Sequence, residues 1–222
     1  MQSSTVTSIA VAGALLTLGL AGAAAYAETT GAGPQVPKAT ADLSSQLPDP
    51  AARLETRTVW VGADLDGDGQ PDIADPTGKA PRGEDAYGEG RFHARRDGGE
   101  REHEGVDYVA TPGQAVEAPI SGYVTHIGFA YPDDQTLKYV EIENPALKLT
   151  ARVFYVDPDV AVGQTVEVGR EIGHAHSLQR RYRSITDHVH LELADRRGRK
   201  LDAERLILAK NEALPATSAM GD

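Results

Sequence analysis

Two short stretches of this sequence carry side chains that can hold a metal ion. In HEGVDYVA, His103 and Asp107 stand four residues apart, and in DHVHLEL, His188 and His190 stand two apart. If both segments are extended, even spacing puts each pair on one face of its strand. Two imidazoles and a carboxylate drawn from these stretches would give a three-ligand nitrogen and oxygen set, the pattern of catalytic zinc, with a fourth position open for water. Such an ion acidifies water and polarises a carbonyl, and a remaining histidine beside it can shuttle the proton. Alone, HxH reads as an exposed strand pair and HxxxD as a chance spacing. Their order, with a β-rich stretch between them, points to one site.

A second group is acidic. DLDGDGQPDIAD places Asp64, Asp66, Asp68, Asp72 and Asp75 at positions 1, 3, 5, 9 and 12 of a loop with Gly69 at position 6, the layout of an EF-hand-type calcium loop. It departs from that layout in Asp75, where a bidentate Glu is usual, in Pro71, and in lacking helix signals on either side. The expectation is a structural calcium site bracing the segment that leads into the main domain.

The elements that must position these residues read as β-structure. From Phe92 to Leu193, short segments rich in Val, Ile, Tyr and Thr alternate with Gly, Pro, Asn and Asp, as in an all-β domain. PGQAVEAPISGYV at 112–124 is echoed by VGQTVEVGREIG at 162–173, each with a tight Gly turn before alternating apolar residues, which suits a small barrel-sandwich of related hairpins. LDAERLILAKNEAL at 201–214 carries leucines at helical spacing and is expected to form a short terminal helix.

The first 27 residues hold no charged side chain, run apolar from Ile9 to Ala25 and close on Ala25-Tyr26-Ala27, a secretory signal expected to be cut after Ala27. The apolar run is shorter than the roughly 20 residues a spanning helix needs, so no membrane anchor is expected after cleavage. Residues 28–55, rich in Ala, Thr, Ser, Pro and Gly, read as a flexible leader. Residues 56–90 form an irregular extension with the acidic loop, 91–200 the main domain, and 201–222 the terminal helix and tail. With no cysteine, disulfides, thiolate metal sites and a lipidated amino terminus are excluded. A net charge of −11 argues against nucleic acid and anionic membrane surfaces as partners.

Residues 91–194 taken together resemble the lysostaphin-like (LytM-type) zinc metalloendopeptidases. RRDGGEREHEGVDYVATPGQAVEAPISGYVTHIG looks like the first half of that domain, and VAVGQTVEVGREIGHAHS with ITDHVHLEL looks like the second. The resemblance implies an antiparallel β-sheet groove with zinc on His103, Asp107 and His190, and His188 as general base and acid. It implies hydrolysis of peptide bonds in bacterial cell-wall peptidoglycan by a metal-activated water, in an exported enzyme placed in the periplasm or outside the cell. The family usually carries Tyr-x-His before the last motif, whereas the stretch aligned here, VFYVDPDV, has Asp157 in place of that second histidine. A carboxylate there opposes a developing oxyanion. Three outcomes follow: His188 works alone, His174 or His176 fills the space, or the domain binds wall peptide and regulates another hydrolase without cutting. The Gly-turn repeats also resemble biotinyl or lipoyl carriers, but no Lys stands at a hairpin tip.

Overall fold

In the computed structural model, residues 56–214 are described. They form strands joined by turns, with only single-turn 3-10 segments at Asp97–Gly99 and Ala203–Arg205. The signal and leader readings fall outside the described residues.

The described chain opens with β1 (Thr56–Gly62) and two small hairpins, β2 (Glu84–Asp85) with β3 (Gly88–Glu89) and β4 (Arg95–Arg96) with β5 (Arg101–Glu102). Next come β6 (Val106–Val109), β7 (Ala115–Glu117), β8 (Gly122–Tyr131), β9 (Asp134–Asn144) and β10 (Leu149–Phe154). The last are β11 (Val156–Pro158), β12 (Thr165–Val166), β13 (Glu171–Ala175), β14 (His188–Asp195), β15 (Lys200–Leu201) and β16 (Ile207–Ala213). The main sheet is antiparallel in the order β12-β8-β9-β10-β14-β15, with β6 also paired to β14. A three-stranded sheet, β11-β13-β7, packs on its core. The fold is all-β.

Alternation along the strands divides core from cleft. On β14, Val189, Leu191 and Leu193 are fully buried in the core, which leaves His188, His190 and Glu192 on the opposite face. On β6, Val106 and Tyr108 go into the same core and Asp107 is turned the other way. The echoed turns both appear: Gly113 (φ 82°) donates its N–H to Ala175 O and Gly163 (φ 89°) to Val124 O, each in the left-handed conformation that favours glycine.

The expected helix at 201–214 is not formed. Ala203–Arg205 makes one 3-10 turn and Ile207–Ala213 is strand β16, paired along its length with β1 from Thr56↔Ala213 to Gly62↔Ile207. Only Ile207 of that strand is buried, while Leu208 is exposed. A short helix with so small an apolar stripe gains little from packing. Pairing with β1 instead satisfies two rows of backbone groups at once. The irregular extension is tied to the core: Ile73 is fully buried and bridges to Ile120, and Pro81 bridges to Tyr108.

Candidate metal centre

Antiparallel pairing of β6 with β14 sets His190 directly opposite Asp107, and His103 enters from the turn just before β6. Gly105 lies in that turn because a side chain would not fit: a Cβ there would stand 2.3 Å from Leu191 O and 2.8 Å from His190 Cε1. Three ligand atoms converge as a result. His190 Nδ1 lies 2.9 Å from both His103 Nε2 and Asp107 Oδ1, and His103 Nε2 lies 3.2 Å from Asp107 Oδ1. A zinc ion about 2.1 Å from each of its donors separates them by roughly 3.4 Å, so the triangle is close to the size required.

The far side of each ligand is tied down so that its free electron pair points inward. His103 Nδ1 donates to Arg91 O at 2.9 Å, which fixes the tautomer and leaves Nε2 free to bind a metal. His190 Nε2 faces Glu192 Oε1 at 3.4 Å, and Glu192 is held in turn by Lys200. Asp107 Oδ2 accepts from Arg82 Nε at 3.2 Å and Nη2 at 2.8 Å, leaving Oδ1 for the centre. Outer-shell partners of this kind orient metal ligands and raise their basicity.

The electrostatics agree with a cation site. Burial alone would push the Asp107 carboxyl up, but hydrogen bonds from His103 and His190 and the charge of His188 hold it well below the usual range. Against the effect of burial, bonding to Asp107 and Glu192 lifts His190 to about 9. Burial also opposes ionisation of Glu192, yet His190 and Lys200 hold it down to about 2. The site therefore attracts positive charge, and a divalent ion entering it would compete with a proton.

His188 sits beside the triangle. Its Nδ1 donates to Thr186 O at 2.7 Å, so its unprotonated Nε2 faces Asp107 Oδ1 at 3.5 Å. Burial lowers its affinity for a proton, against the pull of Asp107. The site opens into a cavity of about 390 Å³ lined in part by Arg96, Phe154, Tyr155, Tyr182 and Glu192.

Asp157 does not line this cavity. It is exposed on β11 and pairs with His176 Nδ1 at 2.8 Å, while His174 Nδ1 pairs with Asp159 at 2.9 Å. Neither His174 nor His176 reaches the cleft. Tyr155 adopts φ 67°, a reversal between β10 and β11 that aims its ring at His188, with centroids 5.5 Å apart, and Phe154 packs edge-on against His190 at 5.3 Å. The Tyr155 hydroxyl is hydrogen bonded to Tyr131 at 2.8 Å, and Tyr182 donates to Tyr131 at 2.9 Å. Sequence reading missed this phenol cluster and Arg82. Glu192 could have been found from its even spacing with His188 and His190.

The acidic loop is only partly assembled. Asp64, Asp66 and Asp72 come together, but Asp68 is outside that group and accepts from Gln70 N at 2.8 Å. Asp75 is buried and accepts through Oδ1 from Thr77 N at 2.8 Å and Gly78 N at 2.9 Å. The twelfth position of the expected calcium loop is thus turned into the protein, because the neighbouring Ile73 is drawn into the core.

Residues 101–203 match the sequence pattern of peptidase family M23. Leukocyte cell-derived chemotaxin-2 of Mus musculus is 30% identical over 116 residues, covering 50% of this chain and 71% of that protein. Myeloid protein 1 of Gallus gallus is 31% identical over 131 residues, covering 56% of this chain and 38% of that protein. Among solved structures, the catalytic domain of the antimicrobial peptidase lysostaphin from Staphylococcus simulans has a TM-score of 0.41 at 20% identity, covering 50% of this chain and 84% of its own. A zinc containing peptidase from Vibrio cholerae has a TM-score of 0.42 at 24% identity, covering 58% of this chain and 37% of its own. The chain thus spans well under half of the chicken protein and of the Vibrio structure.

Proposed function

Because the chain belongs to peptidase family M23, the lysostaphin-like group, we propose that it is an exported zinc endopeptidase that hydrolyses peptide bonds of bacterial peptidoglycan. One observation carries the proposal. His103 Nε2, Asp107 Oδ1 and His190 Nδ1 converge within 2.9–3.2 Å, and each ligand's other polar atom has its own partner. Zinc held by these three residues would supply Lewis acidity, polarising a peptide carbonyl and acidifying water.

The chain's own groups supply the rest. His188, with its proton held on Nδ1 by Thr186 O, presents a free Nε2 to accept the proton of the attacking water and to return it to the departing amine. Burial raises the Tyr155 phenol well above its usual range, so it stays protonated and keeps the wall opposite His188 uncharged. Asp157, facing away from the cavity, places no negative charge beside a developing oxyanion. Export to the periplasm or beyond is part of the proposal and rests on the amino-terminal signal reading.

A second reading, binding of wall peptide without cleavage in the service of another hydrolase, is favoured by one feature. Among the described residues lining the cavity, His188 is the single imidazole outside the converging triangle. Incubating purified protein with peptidoglycan, with and without a chelator, and measuring released amino groups separates the two. Chelator-sensitive release that is lost in His188→Ala with zinc content retained supports the enzyme. Peptide binding without release supports the second reading.

A further inference from the structure

Among the described residues at the cleft, four carboxylates share three basic side chains at close range, and a fourth cation, Arg96, makes only a long contact. Asp107 pairs with Arg82 at 2.8 Å and Asp97 with Arg101 at 3.0 Å, while Glu104 pairs with Lys200 at 3.2 Å and Glu192 pairs with the same lysine. Arg96, from the β4–β5 hairpin, lines the same cavity with its side chain 15% exposed. Its nearest carboxylate is Asp107, 3.8 Å away through an oxygen that already accepts two bonds from Arg82. Two backbone carbonyls, Glu89 O at 2.7 Å and Arg95 O at 3.4 Å, hold the guanidinium in place without neutralising it. A guanidinium has five N–H donors, so three of them have no hydrogen-bond partner among the described residues. Burial weakens its hold on its proton, the charge of Asp107 opposes this, and the charges of Arg82 and Arg101 add to the weakening.

A mostly buried charge whose one ion pair is long and shared with Arg82 is costly to fold around, and the balance improves once an anion meets its free donors. The planar fork of Arg is suited to a carboxylate. We propose that Arg96 is a specificity residue that binds a free carboxylate of the peptide substrate next to the scissile bond, so that the cleft selects carboxylate-bearing peptides over their amidated counterparts. This rests on the peptidase reading of the same cleft. The carboxylate has two sources in a peptide, an acidic side chain or the chain terminus.

The test uses the full chain as His188→Ala, loaded with zinc, so that peptides bind without turnover. Calorimetry compares one wall-type peptide in three forms: both carboxylates free, the side-chain carboxylate amidated, and the terminal carboxylate amidated. A charged hydrogen-bonded contact of this kind corresponds to a difference of about tenfold to a hundredfold in affinity. The fully free peptide is expected to bind best, and one of the two amidated forms, which identifies the source, is expected to lose that factor. In the double variant His188→Ala/Arg96→Gln the free and amidated forms should bind alike, and Arg96→Lys should recover part of the preference. Equal binding of all three forms with Arg96 intact, or a preference that survives Arg96→Gln, overturns the proposal. Failure of the peptidase reading looks different: wild-type protein then releases no amino groups from peptidoglycan, whatever the calorimetry shows.

Discussion

Replacing Arg82 with methionine removes the group that anchors Asp107 from behind. Both side chains are 3% exposed, and the pair is held by Nε at 3.2 Å and Nη2 at 2.8 Å on one oxygen. Arg82 also donates to Gly88 O at 2.9 Å and pairs with Asp85 at 2.8 Å, so one substitution loosens the β2–β3 hairpin together with the carboxylate. After the change, the nearest remaining cation to Asp107 Oδ2 is Arg96 at 3.8 Å, which leaves a deeply buried carboxylate oxygen without its two donors. Breaking one side of a buried ion pair typically lowers stability by about 3–5 kcal/mol, and the near-complete burial here leaves no reason to discount that range for solvent screening. Urea unfolding of wild type, Arg82→Met and Arg82→Lys in the presence of a chelator measures it. Methionine is expected to shift the midpoint by the full amount, and lysine, which keeps the charge but not the two-pronged contact, by an intermediate one. A loss below about 1 kcal/mol for Arg82→Met, the size of an ordinary surface substitution, refutes the view that this pair organises the site.

Asp75 gives a pH-dependent prediction. It is 5% exposed, its Oδ2 has no partner among the described residues, and burial, helped by the charge of Glu117, pushes its carboxyl up to about 6 from 3.8. The native state then holds the proton more tightly than the unfolded chain. Its contribution is fully present below about pH 4 and is lost as pH rises through 6, amounting to at most about 3 kcal/mol at 1.4 kcal/mol per pH unit. Unfolding free energies measured between pH 4 and 7 should therefore fall less steeply in Asp75→Asn than in wild type, and parallel profiles contradict this. Gly105→Ala would place a Cβ 2.3 Å from Leu191 O, so the turn before β6 must move away from β14. A loss of about 1–3 kcal/mol and weakened zinc binding are expected from the displaced His103; unchanged zinc affinity by competition with a chromogenic chelator argues against the close approach.

Much of the site was readable because strands encode direction. The even spacing of His188, His190 and Glu192 fixes a common face, and the same rule places Asp107 opposite Val106 and Tyr108. Convergence of the two stretches depends on the β6–β14 register, which no local pattern states. Arg82 is silent in the sequence because its place is set by the bridge of Pro81 to Tyr108 and by the backbone bond from its N–H to Asp107 O. The terminal helix failed for a similar reason: the partner that makes Ile207–Ala213 a strand lies at Thr56–Gly62, far away in the chain. Asp157 was set against the catalytic site by alignment alone, but the left-handed turn at Tyr155 sends the phenol into the cleft and the carboxylate out to His176. In the acidic loop, oxygen spacing was visible while the burial of Ile73, which carries Asp75 inward, was not.

Crystals of the full chain grown with saturating zinc, with data collected on both sides of the zinc absorption edge, examine the centre most directly. An anomalous peak about 2.1 Å from His103 Nε2, Asp107 Oδ1 and His190 Nδ1, absent from His190→Ala crystals, is the expected result. Ordered density for all three side chains with no peak between them contradicts the assignment of this triangle as a zinc site.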